Sequence, residues 1–279
     1  MQRTVIHTVQ GVRASDGAGV SLVRVLGHDT TELYDPILML DSFDSVNPAD
    51  YRAGFPTHPH RGIETFSFIA RGAMVHRDTM GNEARIGDGE AQFLSAGSGV
   101  FHSERLPESE RLLGFQMWLN IPKAHKMDDP SYHNIERKDV PRIELPGGHL
   151  NLMAGRFGEQ VAFQTPHLPL NYYHIHLEPG ATLTLPFATD DSVMAFTLLG
   201  EATVGGTHLG EKTAAKLSDG DSLEVVAGAS GVELIVVASR RLGERIAWYG
   251  PIVMNTESEI RTAVRELNEG SFLKVATKY

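Results

Sequence analysis

The sequence predicts an all-β chain made of two copies of one barrel and finished by a short C-terminal helix. Three observations carry this: short apolar segments cut by Gly, Asp and Pro along the whole length, a weak internal repeat, and one capped amphipathic stretch near the end.

Taken in order, Glu64-Thr-Phe-Ser-Phe-Ile69 is the first clear strand, and Phe68-Ile-Ala-Arg-Gly72 leads from it into a turn. Gly87-Asp88 then precedes Ala96-Gly-Ser-Gly-Val100. Between Pro122 and Pro141 the chain is polar and charged, with a turn-prone Asp129-Pro130 and little apolar periodicity. This places a boundary there: residues 1–125 form an N-terminal barrel, 126–142 a linker, and 143–279 a C-terminal barrel whose end packs back. In Ala181-Thr-Leu-Thr-Leu185 the alternation buries one face and wets the other. Val193–Leu199 and Val232–Ala238 are further strands. Thr197-Leu-Leu-Gly200, Gly220-Asp221 and Ala227–Val232 repeat the pattern of the first half, which implies the second barrel. Thr256 with Glu259 makes a capping box, Ile260, Ala263, Val264 and Leu267 make one apolar stripe, and Gly270 can end the helix.

The 279 residues are 41% hydrophobic, enough to bury a core in two domains. No run approaches the eighteen apolar residues of a membrane span, and Met1–Ser15 lacks the pattern of an export signal, so a cytoplasmic protein is expected. The absence of Cys excludes thiolate metal sites, thiol nucleophiles and disulfides; any metal must use His and carboxylates. A formal charge of −10 without a basic run argues against direct nucleic-acid binding.

His58 and His60 stand one residue apart, and positions i and i+2 of a strand share a face, so both imidazoles can reach one point. Pro59 between them cannot donate to a ladder, which suits an edge or irregular segment. His102 and Glu104 repeat the spacing. Brought together, the pairs supply three imidazole nitrogens and one carboxylate oxygen, leaving two positions open on a six-coordinate ion. This donor set accepts Mn, Fe, Co, Ni, Cu or Zn as a single divalent ion. In the second copy Pro186 and Ala188 stand in place of His58 and His60, with Glu233 near the place of His102, so that barrel is expected to be metal-free. His174 and His176 are read as ordinary strand residues. His76 and Asp78 either line the cavity or form a hydrogen-bonded strand or turn.

Thr57-His-Pro-His-Arg-Gly-Ile-Glu-Thr65, His76-Arg-Asp78, Ala96-Gly-Ser-Gly-Val-Phe-His-Ser-Glu104 and Gly114-Phe-Gln-Met-Trp-Leu-Asn120 together resemble the pirin family of the cupin superfamily. Trp248-Tyr-Gly-Pro-Ile-Val-Met-Asn-Thr256 resembles that family's C-terminal signature. Phe101 before His102 and the Gly72-Ala-Met-Val75 turn depart from it. The resemblance implies two cupin (jelly-roll) barrels, with Fe(II) held in the first by His58, His60, His102 and Glu104. It also makes Glu64 a competitor for the carboxylate position, because many cupins place a Glu four residues after their His-x-His pair. Either Glu64 or Glu104 then serves as base.

The implied activity is that of a quercetin 2,3-dioxygenase, which opens a flavonol ring with dioxygen and releases carbon monoxide. Phe66 and Phe68 are expected to line the pocket. Two rival readings go with it: a non-enzymatic, metal- or redox-responsive regulator that binds a transcription factor or metabolic enzyme, and a cupin enzyme on another substrate.

Overall fold

A computed structural model describes residues 1–278. The strands called from sequence are present within longer ones: Ile63–Arg71, Ser192–Val204 and Ser222–Ser239. In Thr182–Pro186 the two leucines are buried and the threonines exposed, as the alternation requires. The helix runs Glu257–Glu269 with both hydrogen bonds of the Thr256/Glu259 capping box in place, and Gly270 closes it at φ 72°. Among the described residues no helix is long and apolar enough to cross a membrane.

The chain divides into two compact units that are not continuous in sequence. One comprises residues 13–22, 39–136 and 242–279; the other comprises 1–12, 23–38 and 137–241. The longest segment of the second starts at residue 137, and each unit also takes in segments remote in sequence. The strand Val5–Gln10 pairs antiparallel with Thr213–Leu217, far along the chain. The C-terminal segment belongs with the first unit. Nor is 126–142 a free connection: Ser131–Ile135 adds a strand to Glu90–Ser95. Lys126 is buried, and its ammonium donates to the Gly62 and Val253 carbonyls and to Asn120 Oδ1. Polar residues there find buried partners, which a reading by apolar period cannot detect.

In the first unit a four-stranded antiparallel sheet carries, in order, Phe55–His60, Val100–Arg105, Met74–Asp78 and Glu83–Ile86. A larger sheet orders Ser131–Ile135, Glu90–Ser95, Ile63–Arg71, Leu112–Asn120 and Ile37–Ser45. Phe43, Ile69 and Leu112 of the larger sheet pack with Met74 and Ile86 of the smaller one in a common core. The other unit is built on a nine-stranded antiparallel sheet whose core includes Leu150, Ile175, Leu185, Val204, Leu223 and Leu234.

Candidate metal centre

The smaller sheet of the first unit carries all four expected ligands and brings the three imidazoles together. His102 lies directly opposite His58 on one neighbouring strand and opposite Asp78 on the other, while Glu104 lies opposite His76. A register shift between His102 and Glu104 marks a bulge at that strand. One nitrogen each from His58, His60 and His102 fall within 4.8 Å of one another. His58 Nε2 is 3.0 Å from His60 Nε2 and 3.0 Å from His102 Nε2.

The protons on these rings follow from their other partners. His58 Nδ1 faces the Pro56 carbonyl at 2.8 Å and His60 Nδ1 the Pro251 carbonyl at 3.1 Å. A carbonyl only accepts, so each Nδ1 carries the proton and each Nε2 is a bare lone pair. Two lone pairs 3.0 Å apart repel unless a cation lies between them. The donor set therefore fits a divalent metal ion that takes imidazole nitrogens.

Burial keeps the His60 and His102 rings neutral. His60 is held down to about 3, first by desolvation and then by His58 beside it, with the Pro251 carbonyl opposing. His102 is pushed well below its ordinary value by desolvation and then by His60, His58 and His76. Between pH 6.5 and about 3 the unfolded chain takes a proton at residue 60 that the native state refuses. The metal-free protein should therefore be fully stable above pH 6.5 and lose about 1.4 kcal/mol per pH unit from His60 alone below it. Urea unfolding midpoints at pH 7.5 and 5 check this, and equal midpoints would contradict it.

Glu104 is buried, and its place differs from that of the three rings. It groups with His76 and His102, not with His58 and His60. Its carboxylate accepts from Gln92 Nε2 at 2.7 Å on Oε1, and from Gln116 Nε2 at 3.2 Å on Oε1 and 3.0 Å on Oε2. Trp118 Nε1 steadies Gln116 through its Oε1, and the Tyr132 hydroxyl steadies Gln92 in the same way. Burial, then the charges of Glu104 and Asp78, raise the Tyr132 phenol, which keeps it a donor. These amides were not found from the sequence, since a lone Gln in a strand carries no spacing signal.

Strand parity separates Glu64, Phe66 and Phe68 from this centre. Ser67 stands opposite Gln92 and Gln116 and shares their face; Thr65 stands opposite Trp118. The even positions of that strand point to its other face. There Phe66 meets the Phe93 ring and Phe68 the Phe115 ring, all fully buried. The Glu64 charge acts on Lys126, whose ammonium burial lowers to about 7. The aromatic groups near the three imidazoles are instead Trp118, whose ring lies 5.0 Å from that of His60, and Trp248, 5.8 Å from Trp118 and half-buried. Both lie in the segments that carry the resemblance. His174 of the other unit is paired with Glu233 Oε2 at 3.3 Å and with Asn151.

Residues 19–119 match the pirin family and residues 172–273 the pirin C-terminal cupin domain. The chain belongs to the pirin family. Its two cupin units are the all-β architecture expected from the sequence. A Pseudomonas aeruginosa protein provisionally named a quercetin 2,3-dioxygenase is 38% identical to this pirin-family chain over 278 residues, covering 96% of this chain and 97% of that protein. The crystal structure of a quercetin 2,3-dioxygenase from Acinetobacter baumannii matches with a TM-score of 0.90 at 30% identity, covering 98% of this chain and 99% of that one. A bacterial pirin from Escherichia coli, solved in complex with nickel(II), shares the fold with a TM-score of 0.66 at 18% identity, over 83% of this chain and 97% of that one.

Proposed function

We propose that this pirin-family chain is a mononuclear metal dioxygenase of the quercetin 2,3-dioxygenase type, acting on a flavonol or similar aromatic enol. Three bare imidazole nitrogens turned to one point carry the reading. Two nitrogens bound at about 2.0–2.1 Å to one ion lie about 2.9 Å apart at right angles and about 3.4 Å apart at the tetrahedral angle. The 3.0 Å spacing suits an ion of octahedral habit, and the family resemblance makes iron(II) the first candidate.

When bound, the ion would supply Lewis acidity that lowers the flavonol hydroxyl's pKa and eases electron donation to dioxygen. His58, His60 and His102 would hold it, with Glu104 as the carboxylate beside them. Glu104 Oε2 accepts one hydrogen bond, from Gln116, and keeps capacity for the ion or for the substrate's hydroxyl proton. Gln92 and Gln116 hold that carboxylate in place. Trp118 and Trp248 offer aromatic faces for the flavonol rings. Anaerobic purification, elemental analysis and then admission of oxygen to protein with quercetin test the reading. Stoichiometric metal, loss of flavonol absorbance and release of carbon monoxide are expected. Stoichiometric metal without turnover would sink the dioxygenase reading and favour a regulatory role.

A further inference from the structure

Two of the three rings that face one another have their outer nitrogen held by a backbone carbonyl: His58 by Pro56 and His60 by Pro251. His102 differs. Its Nδ1 lies 3.4 Å from the Nδ1 of His76, another imidazole, which can be donor or acceptor. What settles the direction is the far side of His76, where Nε2 lies 2.9 Å from Asp78 Oδ2. Asp78 is a buried carboxylate that also accepts from the Met80 and Asn82 backbone amides and from Asn82 Nδ2, so it stands as a fixed acceptor. The His76 proton is therefore on Nε2, its Nδ1 is bare, and His102 Nδ1–H donates to it. That leaves His102 Nε2 bare and aimed at His58.

We infer that Asp78 and His76 form a hydrogen-bond relay that fixes the tautomer and orientation of His102 and thereby sets the metal affinity of the centre. Three further observations support it. His76 and Asp78 are completely buried, so no water competes for the relay. The Tyr132 ring stacks on His76 at 4.3 Å and 13°, which holds the imidazole plane. Strand register puts Asp78 opposite His102 and His76 opposite Glu104, so the relay is built into the same sheet as the ligands. A carboxylate behind a ligating imidazole also makes that ring a stronger donor. His76 and Asp78 are positioning residues; neither needs to touch metal or substrate.

The inference rests on the metal reading above, and its test separates the two. His76→Phe keeps a flat ring beneath Tyr132 but removes both nitrogens. His76→Gln restores an acceptor for His102 and a donor for Asp78. Ring nitrogen shifts of His102 are measured by NMR in the metal-free full-length chain, and cobalt(II) alone is titrated into each protein by calorimetry. Wild type and His76→Gln should show His102 protonated at Nδ1 and bind cobalt within about threefold of each other, while His76→Phe should show a mixed or reversed tautomer and bind about 10–100-fold more weakly. A retained Nδ1–H tautomer in His76→Phe overturns the relay. An altered tautomer with unchanged cobalt affinity overturns its control of the centre. If wild type binds no cobalt, the metal reading of the site fails, and the tautomer comparison alone still decides the relay.

Discussion

His58→Ala protein is expected to leave purification without metal and to leave quercetin unconsumed under oxygen. The ring it loses is the one that faces both other rings, 3.0 Å from each, so its removal takes away the middle donor of the three. Removing a group that only orients a ligand costs about 10–100-fold in affinity, and removing the ligand itself should exceed that. The fold should not suffer. His58 is half-exposed, and in the metal-free chain its bare nitrogen meets two other bare nitrogens, so stability should be unchanged or up by as much as about 1 kcal/mol. Elemental analysis, carbon monoxide detection and a urea curve on the same preparation check the three parts. Metal content equal to that of wild type would remove His58 from the ligand set.

The second large effect lies two residues beyond the His58/His60 pair. Gly62 has φ 76°, and a Cβ there would sit 2.0 Å from the Val253 carbonyl oxygen. The neighbour is backbone, held in place by the Val253 amide donating to the Arg61 carbonyl and by Lys126 donating to the Val253 oxygen. Arg61 adds to the clamp through the Ser98 carbonyl, the Glu266 carboxylate and the Phe272 carbonyl. Gly62→Ala should destabilise the unit by roughly 3–5 kcal/mol, lowering its thermal transition by about 10 °C, and should weaken metal binding by shifting His60. Gly250→Ala separates the causes. It has φ 54° but open space at its Cβ, so it should cost only the backbone preference, about 1–2 kcal/mol. Equal losses in the two variants would show that the clash at Gly62 is relieved at no cost.

Much of this was legible in the sequence because the signals are local. Period-two strands, a capping box and two His-x-His or His-x-Glu pairs each fit within a few residues, and their physics does not depend on distant chain. What could not be read depends on pairing between remote segments. Alternation along residues 63–71 shows two faces, but which one turns to His102 is set by register with Glu90–Ser95 and Leu112–Asn120. For that reason Glu64, Phe66 and Phe68 fall on the far side, and Ser67 falls beside Gln116. His76 and Asp78 were visible as a pair, but their link to His102 follows from strand pairing alone. The exchange of Val5–Gln10 and of the C-terminal segment between the halves is a matter of backbone hydrogen bonds, in which no residue type announces itself.

The carbonyl of Pro251 sets an order of events in the making of the protein. It lies 191 residues downstream of the ring that it orients. A ribosome has therefore polymerised His58, His60, His102 and Glu104 long before it adds the group that turns His60 to a single tautomer. Until then, that imidazole is free to carry its proton on either nitrogen. At that stage two of the rings, His58 and His102, already have their orienting groups and the third is still uncommitted. Only when Pro251 has emerged and the chain has folded back is His60 turned to the tautomer that leaves its Nε2 bare.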